Sequence, residues 1–383
     1  MRLPFDADDP LLARAAWSRI AEPGDRQAGE LVQAIGPAAA LGWLVGAGGA
    51  AIGAVQGEAR ERWLARLDGL DPRRELRALR VIGGRLLIPE NEGWPTALED
   101  LGAQAPFCLW VRGGEAVASQ LGELLNPAVA VVGARAATAY GEMVTAAVAG
   151  ELAAGGVVIV SGGAFGVDAA AHRAALAQGG LTVSVMAGGV DRLYPAGNEA
   201  LLKAVAQDGA VVSELPPGAA PRRERFLSRN RLIAALAQVT VVTESGWRSG
   251  SHRTAAVAAE LLRPVGAVPG PVTAASSAGC HRLIRQGAAT LVTGADEVRE
   301  LLAPLGLAMA AEPAVAAGLL DGLAPSDRQV LDSLPVRQGA TVTAVVAASG
   351  LAIAQVMAAL ARLERAGRAV ESGGTWRKAR QGA

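Results

Sequence analysis

The middle of this sequence predicts an α/β fold, a doubly wound parallel sheet with helices on both faces. Three observations carry that reading. Short β-rich runs recur without a polar interruption, amphipathic stretches of helical length separate them, and their spacing is that of right-handed βαβ units. Uninterrupted apolar strands are expected where both faces of a sheet are covered.

Residues from about Leu11 to Leu70 read as short helices broken at Pro23-Gly24 and Gly36-Pro37, so that 1–78 forms a small helical domain. Within it, Ile35 to Val55 carries no charge and is long enough to cross a bilayer. It also contains Pro37, six glycines and mostly alanine, which gives a weak insertion signal. Small helices packed closely through Gly and Ala are the better expectation, with no membrane partner.

Residues 79–306 hold the sheet. Its strands are expected at Val129–Val132, Val157–Val160, Thr182–Met186, Ala210–Val212, Val239–Val242 and Pro264–Val268. Helices are expected between them at Gly141–Ala154, Asp168–Gln178, Glu199–Ala206, Leu227–Ala237 and His252–Leu262. An Ala/Pro-rich linker follows over 307–322, then a last compact module over 323–383. There, Ser326-Asp327-Arg328-Gln329 reads as a capping box. Helical stretches near Thr343–Ala348 and Ala352–Ala366, then a Gly373-Gly374 turn, give a winged-helix-like pattern.

The chain's 383 residues balance Lys+Arg 36 against Asp+Glu 36. A uniform polyanion-coating surface is excluded, and any nucleic-acid site must come from local segregation of charge. Lysine occurs only at Lys203 and Lys378, so nearly all positive charge is guanidinium, which donates two hydrogen bonds at once to phosphate. Cys108 and Cys280 cannot build a disulfide framework, and no CxxC exists for zinc or redox work. With no apolar leader after Met1, a reducing cytoplasm is the expected compartment.

In a doubly wound sheet, ligands sit beyond the carboxyl ends of the strands. The first such loop is Gly133-Ala134-Arg135, which lacks the G-x-G-x-x-G of a dinucleotide site and offers an arginine instead. The second, Ser161-Gly162-Gly163-Ala164-Phe165-Gly166, is a small-residue turn whose amides and helix start suit an anion. Asp168 could cap the same amides, which is the purely structural alternative. The third holds Arg222, Arg223, Arg225, Arg229 and Arg231 around Phe226, offset only by Glu224. Guanidinium for phosphate beside a ring face for a base is what an unpaired strand needs. Alternatively, Phe226 opens the apolar face of a helix and the arginines form a solvated rim. The fourth, Ser249-Gly250-Ser251 with Thr254, adds hydroxyls and amides.

Catalysis has few candidates. The histidines are His172, His252 and His281; adjacent Cys280 and His281 do not face each other on a helix. No HExxH, GxSxG or GxxxxGK[ST] occurs, and Glu214 and Glu244 lack a defined partner as bases.

From roughly Trp94 to Leu302 the chain resembles the DNA-processing protein A (DprA/Smf) family. The shared motifs, in order, are Gly133-Ala134-Arg135; Ser161–Asp168 with Ala171-His172; Phe226 with Arg229-Asn230-Arg231; Ser249-Gly250-Ser251 with Thr254-Ala255; and Val268-Pro269-Gly270. The resemblance implies a Rossmann-like core that binds single-stranded DNA and holds no nucleotide cofactor. It also implies a homodimer that loads RecA recombinase onto the strand during natural transformation, with no catalytic step. DNA-binding roles carry over to Arg135, the Ser161–Gly163 loop, Phe165, Gly166, Arg223, Phe226, Arg229, Asn230, Arg231 and the Ser249–Ser251 loop. Ala134 stands where relatives carry a hydroxyl, and His252 and Arg253 where many carry smaller or apolar residues. Ahead of the core, such proteins often have a domain of sterile-alpha-motif or helix-hairpin-helix type. Two rival readings stay open: a phosphoribohydrolase-like nucleotide-processing enzyme, and a winged-helix transcription regulator using Arg362, Arg365, Arg368, Arg377 and Arg380.

Overall fold

The computed structural model describes residues 3–46, 57–303 and 323–379. The expected linker, part of the charge-free N-terminal stretch and Arg380 lie outside those residues. Two compact units divide the chain, 1–310 and 311–383.

The first unit opens with α1 (Pro10–Ile20), α2 (Arg26–Ile35), α3 (Pro37–Val45), α4 (Gly57–Leu64) and α5 (Pro72–Val81). Aspartates start three of them: Asp9, Asp25 and Asp71 accept amide hydrogens from the first turns of α1, α2 and α5. Asp25 also accepts Trp63 Nε1–H at 2.9 Å. Trp17 and Trp63 meet edge-on with centroids 5.7 Å apart, anchoring this helical core. No described helix is long and apolar enough to cross a membrane, and α2 and α3 meet at 111°. These helices share packing with the sheet: Ala15 lies in one buried cluster with Trp110, whose Nε1 donates to Ser18 Oγ at 3.2 Å.

The sheet begins with β1 (Gly84–Leu87) and β2 (Leu109–Gly113), followed by short helices α6 (Glu115–Ser119) and α7 (Leu121–Leu124). Strand and helix then alternate: β3 (Ala128–Val132), α8 (Ala139–Ala154), β4 (Val158–Ser161), α9 (Val167–Ala177), β5 (Thr182–Val185) and α10 (Glu199–Asp208). Next come β6 (Ala210–Ser213), α11 (Arg223–Ala235), β7 (Val239–Val242), α12 (Ser251–Glu260) and β8 (Val265–Ala267). The unit closes with α13 (Ala278–Arg285), β9 (Thr290–Leu291) and α14 (Ala295–Leu302).

The described strands of this unit form one sheet in the order β1-β2-β6-β5-β4-β3-β7-β8-β9. Strands β3 to β9 pair in parallel, as expected. The edge corrects the all-parallel expectation: β2 runs antiparallel to β6, and β1 antiparallel to β2. Alternation along β3 sorts the two layers. Ala128, Ala130 and Val132 face a core shared with Leu232, Ile233, Ala258 and Leu283. Val129 and Val131 face the opposite core with Val148, Leu152, Ala171 and Val298.

Another correction concerns α11. It was expected from Leu227 but starts at Arg223, so the arginine-rich segment is helix and its side chains diverge at 100° per residue.

The second unit contains α15 (Pro325–Ser333), β10 (Ala340–Thr341), α16 (Val342–Ser349), α17 (Ile353–Arg365), β11 (Ala369–Ser372) and β12 (Thr375–Lys378). Its strands pair in the order β10-β12-β11. The expected capping box is absent. Ala324 precedes the helix with Pro325 in its first turn, Gln329 Nε2 donates to Ser349 O at 2.7 Å, and buried Asp327 accepts from Arg362 Nη2 at 2.6 Å. Arg362 is therefore a brace between α15 and α17.

Candidate nucleic-acid interface at the strand switch point

Chain direction across the sheet reverses between β3 and β7, since β4, β5 and β6 lie to one side and β8 and β9 to the other. Loops leaving two such strands diverge and open a crevice at their carboxyl ends. Here the crevice has a volume of about 440 Å³. Its lining comes from the β3 loop (Gly133 to Arg135), the β4 loop (Ala164, Asp168), α11 (Arg229, Asn230) and the β7 loop running into α12 (Gly246, Arg248 to Ser251). Four sequence-distant motifs are thereby brought to one place.

Two close backbone approaches shape the floor. Ala134 N–H donates to Glu244 O at 2.8 Å, joining the β3 and β7 loops. On the other side Val167 N–H donates to Ala134 O at 3.1 Å. Gly166 stands at that contact with φ 73°, and a Cβ there would lie 2.3 Å from Ala134 O. Only glycine fits both the left-handed conformation and the gap.

The glycine turn does not present an open nest of amides. Ser161 is buried and its Oγ donates to Val131 O at 2.7 Å. Ala164 N–H donates to Asp168 Oδ2 at 3.3 Å, so the capping alternative is the one realised. Gly162 and Gly163 are buried as well, and their carbonyls accept from Arg229 Nη1 at 2.7 Å and Asn198 Nδ2 at 3.0 Å. A Cβ on Gly162 would strike the Arg229 guanidinium at 2.2 Å. The turn is a socket for an arginine.

Arg229, expected to contact phosphate, lines the cleft but spends Nη1 on support. It donates to Gly162 O and to Val185 O at 2.5 Å, and burial pulls its pKa down to about 10. Burial beside it holds Asp168 above the usual carboxylate range, with Arg229 opposing that shift. Arg231 is corrected from a phosphate ligand to a buried support: a two-pronged pair with Glu214, at 2.9 and 2.6 Å, engages it inside the protein. Arg225 reaches Glu22 at 3.0 Å and ties α11 to the N-terminal helices. Of the five clustered arginines, Arg222 and Arg223 are exposed, at the N-cap and first residue of α11.

Arg135 is different. It is exposed, and its guanidinium lies over the half-buried Phe226 ring, 5.1 Å from the centroid. Arg229 approaches the same ring at 5.9 Å and Tyr194 at 5.8 Å. Phe226 is thus a seat for Arg135 more than an open stacking face. Two nearby rings are more open: Phe165 is 49% exposed and Tyr194 is 47% exposed. Sequence reasoning missed Tyr194 and Trp247, the latter 54% exposed in the β7 loop. Their scarcity was the available signal, since the chain has only 2 Tyr and 7 Trp.

At the α12 start, Asn230 Nδ2 donates to Gly250 O at 3.4 Å, and Ser249, Ser251 and Ser245 form a hydroxyl chain at 2.8 and 3.0 Å. His252 Nε2 meets Ser245 Oγ at 2.8 Å, while Arg282 Nη2 contacts His252 Nδ1. Arginine can only donate, so Nδ1 accepts and Nε2 carries the proton. The imidazole therefore donates to Ser245 and is no base for it. Burial, and then Arg282, lower its pKa and keep it neutral. Ser245 Oγ also lies within reach of Gly246 O as a donor, at 3.3 Å.

The remaining catalytic candidates are tied into the structure. Glu244 accepts from Thr138 N–H and Oγ1–H at 2.8 and 2.7 Å. His172 is buried against Thr182 at 2.7 Å with its pKa pushed down to about 3. Cys280 is buried facing Val242 O, and His281 bonds Gly270 O at 3.0 Å, so they form no dyad.

Comparison with known proteins identifies the family. A family model for DNA recombination-mediator protein A matches residues 85–303. The chain is 46% identical over 386 residues to the putative DNA processing protein DprA of Mycobacterium tuberculosis, across 98% of this chain and 96% of that protein. It is 41% identical over 200 residues to DNA processing protein DprA of Streptococcus pneumoniae, 51% of this chain and 67% of the relative. The X-ray structure of the S. pneumoniae protein superposes with a TM-score of 0.56 at 35% identity, covering 63% of this chain and 81% of that one. DNA processing protein A from Helicobacter pylori, solved for its single-stranded DNA binding mode, gives 0.50 at 31% identity, covering 57% and 95%. With the model spanning more than half of the sequence and one relative matched along almost all of it, this chain belongs to the DNA recombination-mediator protein A family.

Proposed function

We propose that the chain binds single-stranded DNA across the switch-point cleft and delivers it to RecA recombinase during DNA uptake, as a homodimer. The observation that carries this reading is Arg135: an exposed guanidinium at the end of β3, resting on an aromatic ring instead of a carboxylate. It is pre-set to meet a phosphate, and its planar face suits a base. Ser249 Oγ, Arg223 and Arg248 supply further donors at the mouth, and Phe165 and Tyr194 supply ring surface. Gly166, Gly162 and Asn230 shape the site without needing to touch DNA.

A mediator needs no chemistry, and the family is one of recombination mediators, not enzymes. The Glu214 and Glu244 carboxylates are occupied by Arg231 and Thr138, which disfavours the phosphoribohydrolase reading. In the second unit, the first two turns of α17 show Ile353 and Met357 to solvent and carry no basic side chain, which disfavours a base-reading regulator. We assign that unit, with its helix pair and β11–β12 hairpin, to an auxiliary winged-helix contact.

The test is RecA filament formation on a strand pre-coated with single-strand-binding protein. The wild-type chain should shorten the nucleation lag and Arg135→Ala should not. An equal acceleration by both would remove Arg135 from the delivery step.

A further inference from the structure

We infer that Trp247 is a second base-stacking station, on the opposite side of the switch point from Arg135, Phe165 and Tyr194. This rests on the proposed single-strand reading of the cleft and extends its path. The first aromatic group belongs to the β4 and β5 side of β3, whereas Trp247 leaves β7 toward the β8 side. A strand held at Ser249 and Arg135 would thus have ring surface at both ends of its phosphate contacts.

Burial separates Trp247 from the chain's structural tryptophans. Trp17, Trp63, Trp94 and Trp110 are all buried, while Trp247 is 54% exposed. Its ring is nonetheless held: the Arg282 guanidinium lies 5.0 Å from the ring centroid, and Arg282 is itself engaged with His252 Nδ1. A ring fixed before binding loses little rotamer freedom when a base arrives. Its surroundings favour a polyanion over a protein partner. Exposed Arg248 is its chain neighbour and Arg282 lies over its ring, while no acidic residue occurs between Ser245 and Ala259. Gly246, Arg248 and Ser249, Trp247's chain neighbours, line the cleft itself.

Exposure also makes Trp247 a reporter. Oligo-dT should quench the tryptophan emission of the full chain, and Trp247→Phe should lose most of that quenching while keeping affinity within a few-fold. Trp247→Ala should weaken oligo-dT binding roughly 5- to 150-fold, the range for loss of one stacked base. Its thermal unfolding should match wild type, because the removed ring is at the surface. Undiminished quenching in Trp247→Phe, or unchanged affinity in Trp247→Ala while Arg135→Ala loses binding, overturns the second station and leaves the cleft reading intact. Unchanged affinity in Arg135→Ala instead breaks the cleft reading. Normal DNA affinity in Trp247→Ala with lost RecA stimulation would make Trp247 a protein contact and equally overturn the inference.

Discussion

Arg231 and Arg135 both serve the same end of the sheet, in regions that differ in depth. Arg231 sits on α11, buried and clasped by Glu214. Arg135 sits on the rim, exposed and supported by a ring. Burying a guanidinium is costly unless a carboxylate and hydrogen bonds compensate it. The inner arginines, Arg229 and Arg231, are therefore engaged by carbonyls or a carboxylate and are committed mainly to support. The comparison teaches that arginine count near a cleft says little about phosphate capacity. Depth and partner decide.

The largest effect that would sharpen this contrast is on stability. Arg231→Leu leaves the Glu214 carboxylate buried without its partner and should cost about 3–5 kcal/mol. Urea denaturation reads it directly, and the folded fraction should keep wild-type affinity for oligo-dT. Retained stability would place Arg231 with the rim instead.

Phe226→Ala should act the other way. It removes the seat of Arg135 and should weaken single-strand binding by about 1–2 kcal/mol, the value of a partly desolvated cation–π contact. An anisotropy titration checks it; an effect on stability alone would return Phe226 to the core.

A smaller, pH-dependent effect belongs to the inner region. Buried His172 is held near a pKa of about 3, well below the unfolded value near 6.5. The unfolded chain thus binds a proton that the folded chain refuses. Stability from this group is complete above about pH 6.5 and is lost as pH falls toward 3, by up to about 1.4 kcal/mol per pH unit. His172→Gln should flatten that slope between pH 6 and 4, and an unchanged slope would mean the imidazole is not shielded.

Much of the fold was legible because buried parallel strands announce themselves. Val239–Val242 was placed to the residue, and the other expected strands differ from the observed ones by a residue or so at their ends. Strands β1 and β2 escaped because Gly84–Leu87 and Leu109–Gly113 hold only two or three apolar residues beside arginine and glycine, although both faces of β2 are covered. The site's location was legible from strand-end loops, but its division of labour was not. Arg229 and Arg231 look like Arg222 and Arg223 in a linear reading. Only the helix that begins at Arg223 turns the later pair inward, where Gly162 O and Glu214 await them. Tyr194 was overlooked because it lies in no Gly- or Arg-rich run, and Trp247 because only the hydroxyls and amides beside it were weighed.

The most direct test of the central claim is the affinity of Arg135→Ala for oligo-dT, titrated by anisotropy over a range of salt. With Arg135, Arg223 and Arg248 as the cationic contacts, the wild-type slope of log K against log salt should be about −2. The variant should bind about 10- to 100-fold more weakly, as expected for a lost charge-assisted contact. Its slope should be shallower by about 0.7, with thermal unfolding unchanged. Wild-type affinity and slope in Arg135→Ala would contradict the account.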